Sequence, residues 1–538
     1  MKYKIIFILI ILFSLILRLY KLGDNPPSLY WDEASLGYNA FSILNSGKDE
    51  HGEFFPIARF IAFGDFKPPG YIYTAVPSIA LFGLTEIAVR LPSALSGVGM
   101  VVVAGLLSQL LFKKKRISLL SSFFVAISPW SLQFSRAAFE ANLAAFFNLL
   151  GIYFFLRSHQ KKYSIVFSVV FFVLSFYTFN ANRIIAPLLL GSCFLIYFRQ
   201  TKMNLKWTII AGIVGLIMVI PSIQFLGDRE SRIRYQEVSM LNNLAPLIES
   251  NKRIETENGS ILARILFNRR VTYSIQFLRN YVTHFYGRFL FVHGDVNPRL
   301  SVPEMGELYI YEIIPLLFGL WYVISKRNNT SLLMAAWMLI VPIPAALAKE
   351  VPHALRIASI LPSYQILIAV GLWSMISKIK SNYKINRLRL MTYAGIAAVL
   401  CVNTYYYFHQ YYIHYPINWA GEWQWGYKQM VETVQEKLSQ YDAVYVTENY
   451  GRPYIYFAFY GKIPTEQFLH DRVADRDWYG FWTVKSINKI HFGFSDYENA
   501  KGKILIVTTP NSLPGSMHIL ENITDSSGNV IFVIGERT

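Results

Sequence analysis

Asp32 and Glu33 are adjacent carboxylates flanked by Tyr30 and Trp31, shortly after an apolar run that ends near Leu19. Acidic groups at a membrane boundary are costly unless paired or used. One of the two could hold a divalent cation, and one could take the proton of an attacking hydroxyl. Asp32 also suits the N-cap of an amphipathic helix running to about Leu44 and stopped near Gly47. Leu36, Ala40, Phe41 and Leu44 share one face of that helix, which is expected to lie along the membrane surface. Further on, Asp65-Phe66-Lys67-Pro68-Pro69-Gly70 sets a rigid turn that aims Lys67, either as an anion contact or as a lysine snorkelling at the interface.

Arg136, Arg183 and Arg356 stand near the outer ends of apolar runs, where short loops should be poor in basic residues. Each alone reads as an interfacial anchor. Together with Lys67 at one membrane level they suit a common anionic ligand such as a lipid phosphate, because guanidinium groups offer paired donors to phosphate oxygens. Arg136 and Glu140 are four apart, which on a helix gives them one face and a mutual ion pair as the simplest use. Asn180, Asn182 and Arg183 crowd one short loop, where the amides serve either loop capping or sugar hydroxyls and phosphate. His293 and Asp295 are two apart, which fits a turn, but one His and one Asp need a third ligand to make a metal site. His353 and Arg356 open a later apolar run in Pro352-His353-Ala354-Leu355-Arg356.

The elements that must place these residues span a membrane. Of 538 residues, 53% are hydrophobic and only 16% charged, and the mean hydropathy is +0.32. Such a composition excludes a disordered chain and argues against a single soluble enzyme. The two cysteines, Cys193 and Cys401, sit in apolar runs and give no disulfide framework. Apolar runs up to Leu19 and near 87–112, 117–134, 143–157, 163–180, 184–198, 207–226, 306–324, 330–348, 356–377 and 388–409 predict about 11 spanning helices of roughly 20 residues each. The first reads as a span rather than a cleaved signal, since no small-residue cleavage site follows it. With the N-terminus inside, the loops at 113–116, 157–162, 199–206, 326–327 and 378–389 are cytoplasmic, and all are basic. Most of the net charge of +17 is expected on these loops rather than on a nucleic-acid surface. The C-terminus is then outside, as are a first loop (about 21–86), a middle loop (about 227–305) and a tail (410–538). The tail carries helical periodicity at 422–438 and buried-strand runs at 443–447, 504–508 and 530–534. It reads as a small extracytoplasmic α/β domain beside a membrane domain of residues 1–409. A Trp/Tyr-rich stretch between Tyr411 and Tyr427 is either an interface girdle or a surface for sugars.

A first outer loop with Trp31-Asp32-Glu33 and then Lys67-Pro68-Pro69-Gly70 resembles the GT-C superfamily of glycosyltransferases. More narrowly it is similar to the protein O-mannosyltransferase and lipid A aminoarabinose transferase group, glycosyltransferase family 39. The likeness covers about the first 225 residues well and the later helices more loosely. It implies a polytopic α-helical GT-C fold, while the strongly basic inner loops and the lack of an organelle signal fit a bacterial plasma membrane. It also implies a polyprenyl-phosphate monosaccharide as donor and a hydroxyl of a protein, lipid or glycan as acceptor, with inversion in a single displacement. Asp32 would act as base or metal ligand, and Glu33 would orient or ligate. Glu140 matches the acidic residue of the second outer loop that helps hold a divalent metal in that family, where aspartate often stands instead. The Pro-His-x-x-Arg segment matches one that faces the donor phosphate, so Lys67, Arg183, His353 and Arg356 are the expected phosphate contacts. Arg136, Asn182, His293 and Asp295 are expected near substrate. A transporter or flippase for the same lipids would place charges and broken helices near the midplane, often in repeated halves. No internal repeat is visible here. A ligase using a diphosphate-linked glycan and a receptor with a ligand-binding tail are the other readings.

Overall fold

The computed structural model describes residues 1–63, 65–202, 204–227, 238–382, 386–476, 482–514 and 517–537. Residues 228–237 of the expected middle loop and 383–385 of the last cytoplasmic loop lie outside the described residues. The chain forms two compact units. One comprises Met1–Leu17, Ser96–Phe134 and Ala141–Tyr407, the other Arg18–Leu95, Ser135–Glu140 and Phe408–Thr538. The expected first outer loop and the tail therefore share a unit, to which the short segment ending in Glu140 also belongs.

The first unit is helical. Among the described residues, four helical stretches are long and apolar enough to cross a membrane: Glu86–Phe112, Leu205–Ile223, Asn329–Ala346 and Ala358–Lys378. The expected span at 117–134 is two helices, Lys115–Ile127 and Pro129–Arg136, bent by 55° at the break. Proline disfavours helical geometry in the residue before it, here Ser128, which ends the first helix. Other expected spans appear as the shorter helices Glu140–Arg157, Ser164–Phe176, Asn182–Ile196 and Ile313–Lys326. The middle loop contains helices Ala245–Thr256, Ile261–Leu266 and Arg269–Thr283, which were not anticipated.

Two devices hold these helices together without a hydrophobic drive. Serine hydroxyls donate across helix pairs, Ser168 to the Gly151 carbonyl and Ser175 to the Ala144 carbonyl, each at 2.8 Å. Helices Ile313–Lys326 and Ser363–Asn382 touch backbone to backbone at Gly319 and Gly371. A Cβ on Gly371 would stand 1.7 Å from the Pro315 carbonyl oxygen, so no rotamer could relieve the clash.

The second unit contains all nine described strands. A hairpin pairs β1 (Phe60–Ala62) with β2 (Asp65–Lys67), Phe60 opposite Lys67. The tail builds a mixed seven-stranded sheet from β3 (Ala443–Val446), β4 (Arg472–Arg476), β5 (Trp482–Ile487), β6 (Ile490–Phe492), β7 (Ile504–Thr508), β8 (His518–Thr524) and β9 (Val530–Arg537). The order is β4-β5-β6-β3-β7-β9-β8, with β3 parallel to β6 and β7. β7 is buried on both faces, which is why it reads as an unbroken apolar run. The expected 422–438 helix begins only at Tyr427, because Gln424 (φ 50°) and Gly426 (φ 98°) turn the backbone left-handed first.

The helix after the first apolar run spans Trp31–Ser46 and ends at Gly47 (φ 70°), as expected. Much of it is buried within the second unit. Leu36, Tyr38 and Ala40 are fully buried. Gly37 has no room for a Cβ, which would meet Val89 at 2.5 Å and Phe459 at 2.6 Å. The helix is part of the core of the second unit, packed on helix Pro453–Tyr460 of the tail.

Replacing Gly371 by Ala should cost roughly 1–3 kcal/mol through forced separation of the two helices. Gly191→Ala, at a position with no atom within 4 Å, should leave stability unchanged or raise it. Thermal unfolding of both variants in one detergent checks the contrast.

Candidate active site

The approach to Asp32 is fixed by Pro26 and Pro27, after which Tyr30 is extended (φ −79°, ψ 164°) and the helix begins at Trp31. Asp32 is thus in the first turn, not at the N-cap. A carboxylate there is favoured by the helix dipole. Lys67 is the last residue of β2, pinned by the hairpin on one side and by Pro68 on the other. Its Nζ lies 2.5 Å from Asp32 Oδ1 and 3.7 Å from Glu140 Oε1. The three side chains are unequally open: Asp32 is 31% exposed, Glu140 11% and Lys67 8%. One ammonium is thus held between two carboxylates, and Asp32 is the group most open to a second molecule.

Glu33 has the opposite environment. It is fully buried and holds Arg90 in a two-point ion pair, Nε to Oε1 at 2.9 Å and Nη2 to Oε2 at 3.0 Å. Its Oε1 also accepts the Ala138 N–H at 2.8 Å. Arg90 spends its remaining donors on the carbonyls of Leu22, Pro26 and Ser28 at 3.1, 2.7 and 2.5 Å. Glu33, expected to orient or ligate, has its oxygens occupied here, and with Arg90 it joins the turn after the first helix, its own helix and the segment that ends at Glu140. Arg90 was missed. Its signal was an arginine inside the apolar run at 87–112, which is costly unless it has a buried partner.

Arg136 and Glu140 do not share a helix. Arg136 ends one helix and Glu140 begins the next, Glu140–Arg157. Arg136 is fully buried and donates to the carbonyls of Arg18, Lys21 and Asn25 at 3.2, 3.2 and 2.9 Å, and to the Tyr411 hydroxyl at 3.0 Å. It lies over the rings of Tyr411 and Tyr412. The expected phosphate or substrate contact is therefore a clip between the loop after the first helix and the aromatic stretch that opens the tail.

The remaining expected residues lie in the first unit. Asn182 is buried, donating to Ser175 Oγ at 2.7 Å and accepting from Ser359 Oγ at 3.1 Å, so it fastens helices rather than a ligand. Arg183 follows it, partly exposed, with its guanidinium 6.0 Å from the centre of the Phe176 ring. His293 is exposed at the end of a π-helical turn. Asp295 is buried and accepts the N–H of Asn297 at 2.9 Å and of Ala354 at 2.6 Å. It stands 3.9 Å from His353 Nδ1. Burial pushes Asp295 up to about 6; burial, then the Arg356 guanidinium, pushes His353 down to about 3. His353 is therefore neutral at physiological pH. Arg356 donates to the Glu350 carbonyl at 3.0 Å. Asp295 thus secures the His353–Arg356 loop, and His293 is not part of that contact.

Among the described residues no group of three His, Cys, Asp or Glu side chains is placed to hold a metal. Asp32 and Glu140 together offer carboxylate oxygens on either side of Lys67.

Fold and sequence each show a likeness. Residues 8–169 match the family described as dolichyl-phosphate-mannose-protein mannosyltransferase. The whole chain superposes on the crystal structure of ArnT from Cupriavidus metallidurans, a GT-C glycosyltransferase, with a TM-score of 0.56 at 12% identity, covering 98% of this chain and 97% of that one. The same protein bound to undecaprenyl phosphate gives 0.55 at 14% identity. The apo oligosaccharyltransferase of Archaeoglobus fulgidus gives 0.53 at 12% identity, covering 94% of this chain and 69% of that one. At these identities the likeness is one of fold, and the fold is GT-C. A putative mannosyltransferase, YkcB of Bacillus subtilis, is 27% identical over 216 residues, which are 40% of this chain and 29% of that relative. The matched region thus spans less than a third of that relative's length. The resemblance expected from Trp31-Asp32-Glu33 and Lys67-Pro68-Pro69 holds.

Behind Lys67 lies a carboxyl that the sequence did not single out. Glu50 is fully buried, with the Arg472 guanidinium donating to its backbone carbonyl at 2.6 Å. Burial, reinforced by Asp49, pushes Glu50 up to about 8, against the opposing pull of Arg472 and Lys67. The folded state therefore binds this proton more tightly than the unfolded chain, whose glutamates titrate near 4.3. The associated stability is present at low pH and is lost as pH rises toward 8. Between pH 6 and 8 the wild-type protein should lose stability relative to Glu50→Gln, with the difference levelling above 8. Parallel melting curves across that range measure it.

Proposed function

We propose that this chain is an inverting GT-C glycosyltransferase that moves a monosaccharide from a polyprenyl phosphate to an acceptor hydroxyl at the outer face of a bacterial plasma membrane. The observation that carries the reading is the juxtaposition of Asp32, Lys67 and Glu140, with Asp32 the most accessible of the three. In this reading about 11 helices span the bilayer, with the C-terminal domain at 410–538 outside and the short apolar helices completing the count.

The acceptor hydroxyl is a weak nucleophile. Asp32 takes its proton as the oxygen attacks the anomeric carbon, the bond from that carbon to the phosphate oxygen breaks, and polyprenyl phosphate leaves. Its departure develops negative charge, which fixed cations stabilise most when they are already in place. Lys67 meets that charge in the second unit. Arg183 and Arg356 are the proposed phosphate contacts of the first unit, and the neutral His353 supplies a hydrogen bond rather than a charge. Glu33 holds the helix that carries Asp32. The two carboxylates fit a hard, partly hydrated divalent cation, whose shell commonly combines one or two carboxylates with substrate phosphate. Asp32 and Glu140 would hold it. Such an ion would supply Lewis acidity toward the phosphate.

Asp32→Asn keeps the size of the side chain and removes the base. Sugar release by purified protein in lipid, from a panel of polyprenyl-phosphate sugars, should fall by about 10²–10⁴ while expression and melting stay normal. Normal release by that variant would remove Asp32 from the chemistry. Release only from diphosphate-linked glycans would move the protein to the ligase reading.

A further inference from the structure

The second unit contains a cleft of about 650 Å³ lined by none of Asp32, Lys67 and Glu140. That volume is within the roughly 300–1,000 Å³ of small-molecule sites. One wall is the turn that follows the first helix, from Gly23 to Ser28; the facing wall comes from helix Tyr427–Lys437.

The lining has two characters. Trp425, Tyr460 and Phe82 supply aromatic surface, and the Trp425 ring is fixed by its Nε1 donating to the Thr524 carbonyl at 3.2 Å. The polar side carries the exposed carboxylates of Asp24 and Glu432 with the Gln429 amide. Lys428, the basic group on the lining, is engaged by Glu86 at 3.2 Å. Exposed carboxylates repel phosphate, so this cleft is chemically unlike the surroundings of Lys67. A pyranose ring has an apolar C–H face that suits an aromatic plate, and an edge of hydroxyl donors that suits carboxylate and amide acceptors.

The cleft is also tied to the reacting group. Its wall at Ser28 accepts the same Arg90 that grips Glu33, the neighbour of Asp32. We propose that the cleft binds a neutral or cationic sugar ring of the acceptor. Its role as an acceptor subsite rests on the transferase reading; its binding of sugar does not.

The test uses the full chain in lipid nanodiscs without donor, and saturation-transfer NMR with methyl glucoside, glucosamine and glucuronate. The first two should give saturable signals and glucuronate none. Trp425→Ala should weaken both at least fivefold, and Glu432→Gln, an exposed change that spares the fold, should abolish the preference for glucosamine. Nanodiscs containing a dihexosyl diacylglycerol separate the sources. Loss of the free-sugar signal there identifies a lipid headgroup, and its persistence identifies a soluble or polymeric glycan. Absence of any saturable signal from the folded protein, equal binding of glucuronate, or signals unchanged in both variants would overturn the proposal. Because no donor is present, that failure is distinct from a failure of Asp32-dependent sugar release.

Discussion

The buried pair of Glu33 and Arg90 is the constraint on which the rest of the site depends. Neither charge could remain in the core alone: removing one partner of such a pair typically costs about 3–5 kcal/mol, because the other is left buried and unpaired. The pair does more than neutralise itself. Arg90 collects three carbonyls of the turn after the first helix, and Glu33 accepts the N–H of Ala138 two residues before Glu140. The turn, the helix that follows it and the distant 135–140 segment are thereby fixed at one point, and the last two bring parts of the site with them. The first turn of the Trp31–Ser46 helix carries Asp32, and the 135–140 segment carries Glu140. Arg136 repeats the device one layer away, holding the same turn against Tyr411.

Adjacent carboxylates thus receive opposite tasks from their surroundings. Side chains one residue apart on a helix point about 100° apart. Glu33 is directed into the core and saturated; Asp32 is directed to Lys67 and remains 31% exposed. A carboxylate that must accept a proton needs access and a tunable partner, and one that must hold a helix needs neither. The lysine between Asp32 and Glu140 is itself a group that a phosphate could recruit.

How much of this was legible in the sequence depended on the range of the interactions. Asp32 and Lys67 could be singled out because their marks are local: adjacent acids after an apolar run, and a lysine before two prolines. The ion pair of Glu33 could not be read, because its partner is 57 residues away and hidden in an apolar segment. Arg136 was misassigned for the same reason, since a clip to backbone carbonyls leaves no pattern in composition. The Trp31–Ser46 helix was correctly bounded at its end by Gly47, whereas its tight packing at Gly37 is invisible to periodicity. In the tail, β3, β7 and β9 were readable as apolar runs. β8 at one edge exposes nearly every residue, and β4 at the other is rich in charge, so neither stood out.

The most direct test is a double-mutant cycle on sugar release with Glu33→Gln, Arg90→Met and both together. If the pair acts as one clasp that places Asp32, either single change already removes it, and the double variant should lose little more than the worse single variant. Losses that multiply, or release that survives in all three folded variants, would contradict the claim that this pair positions the reacting carboxylate.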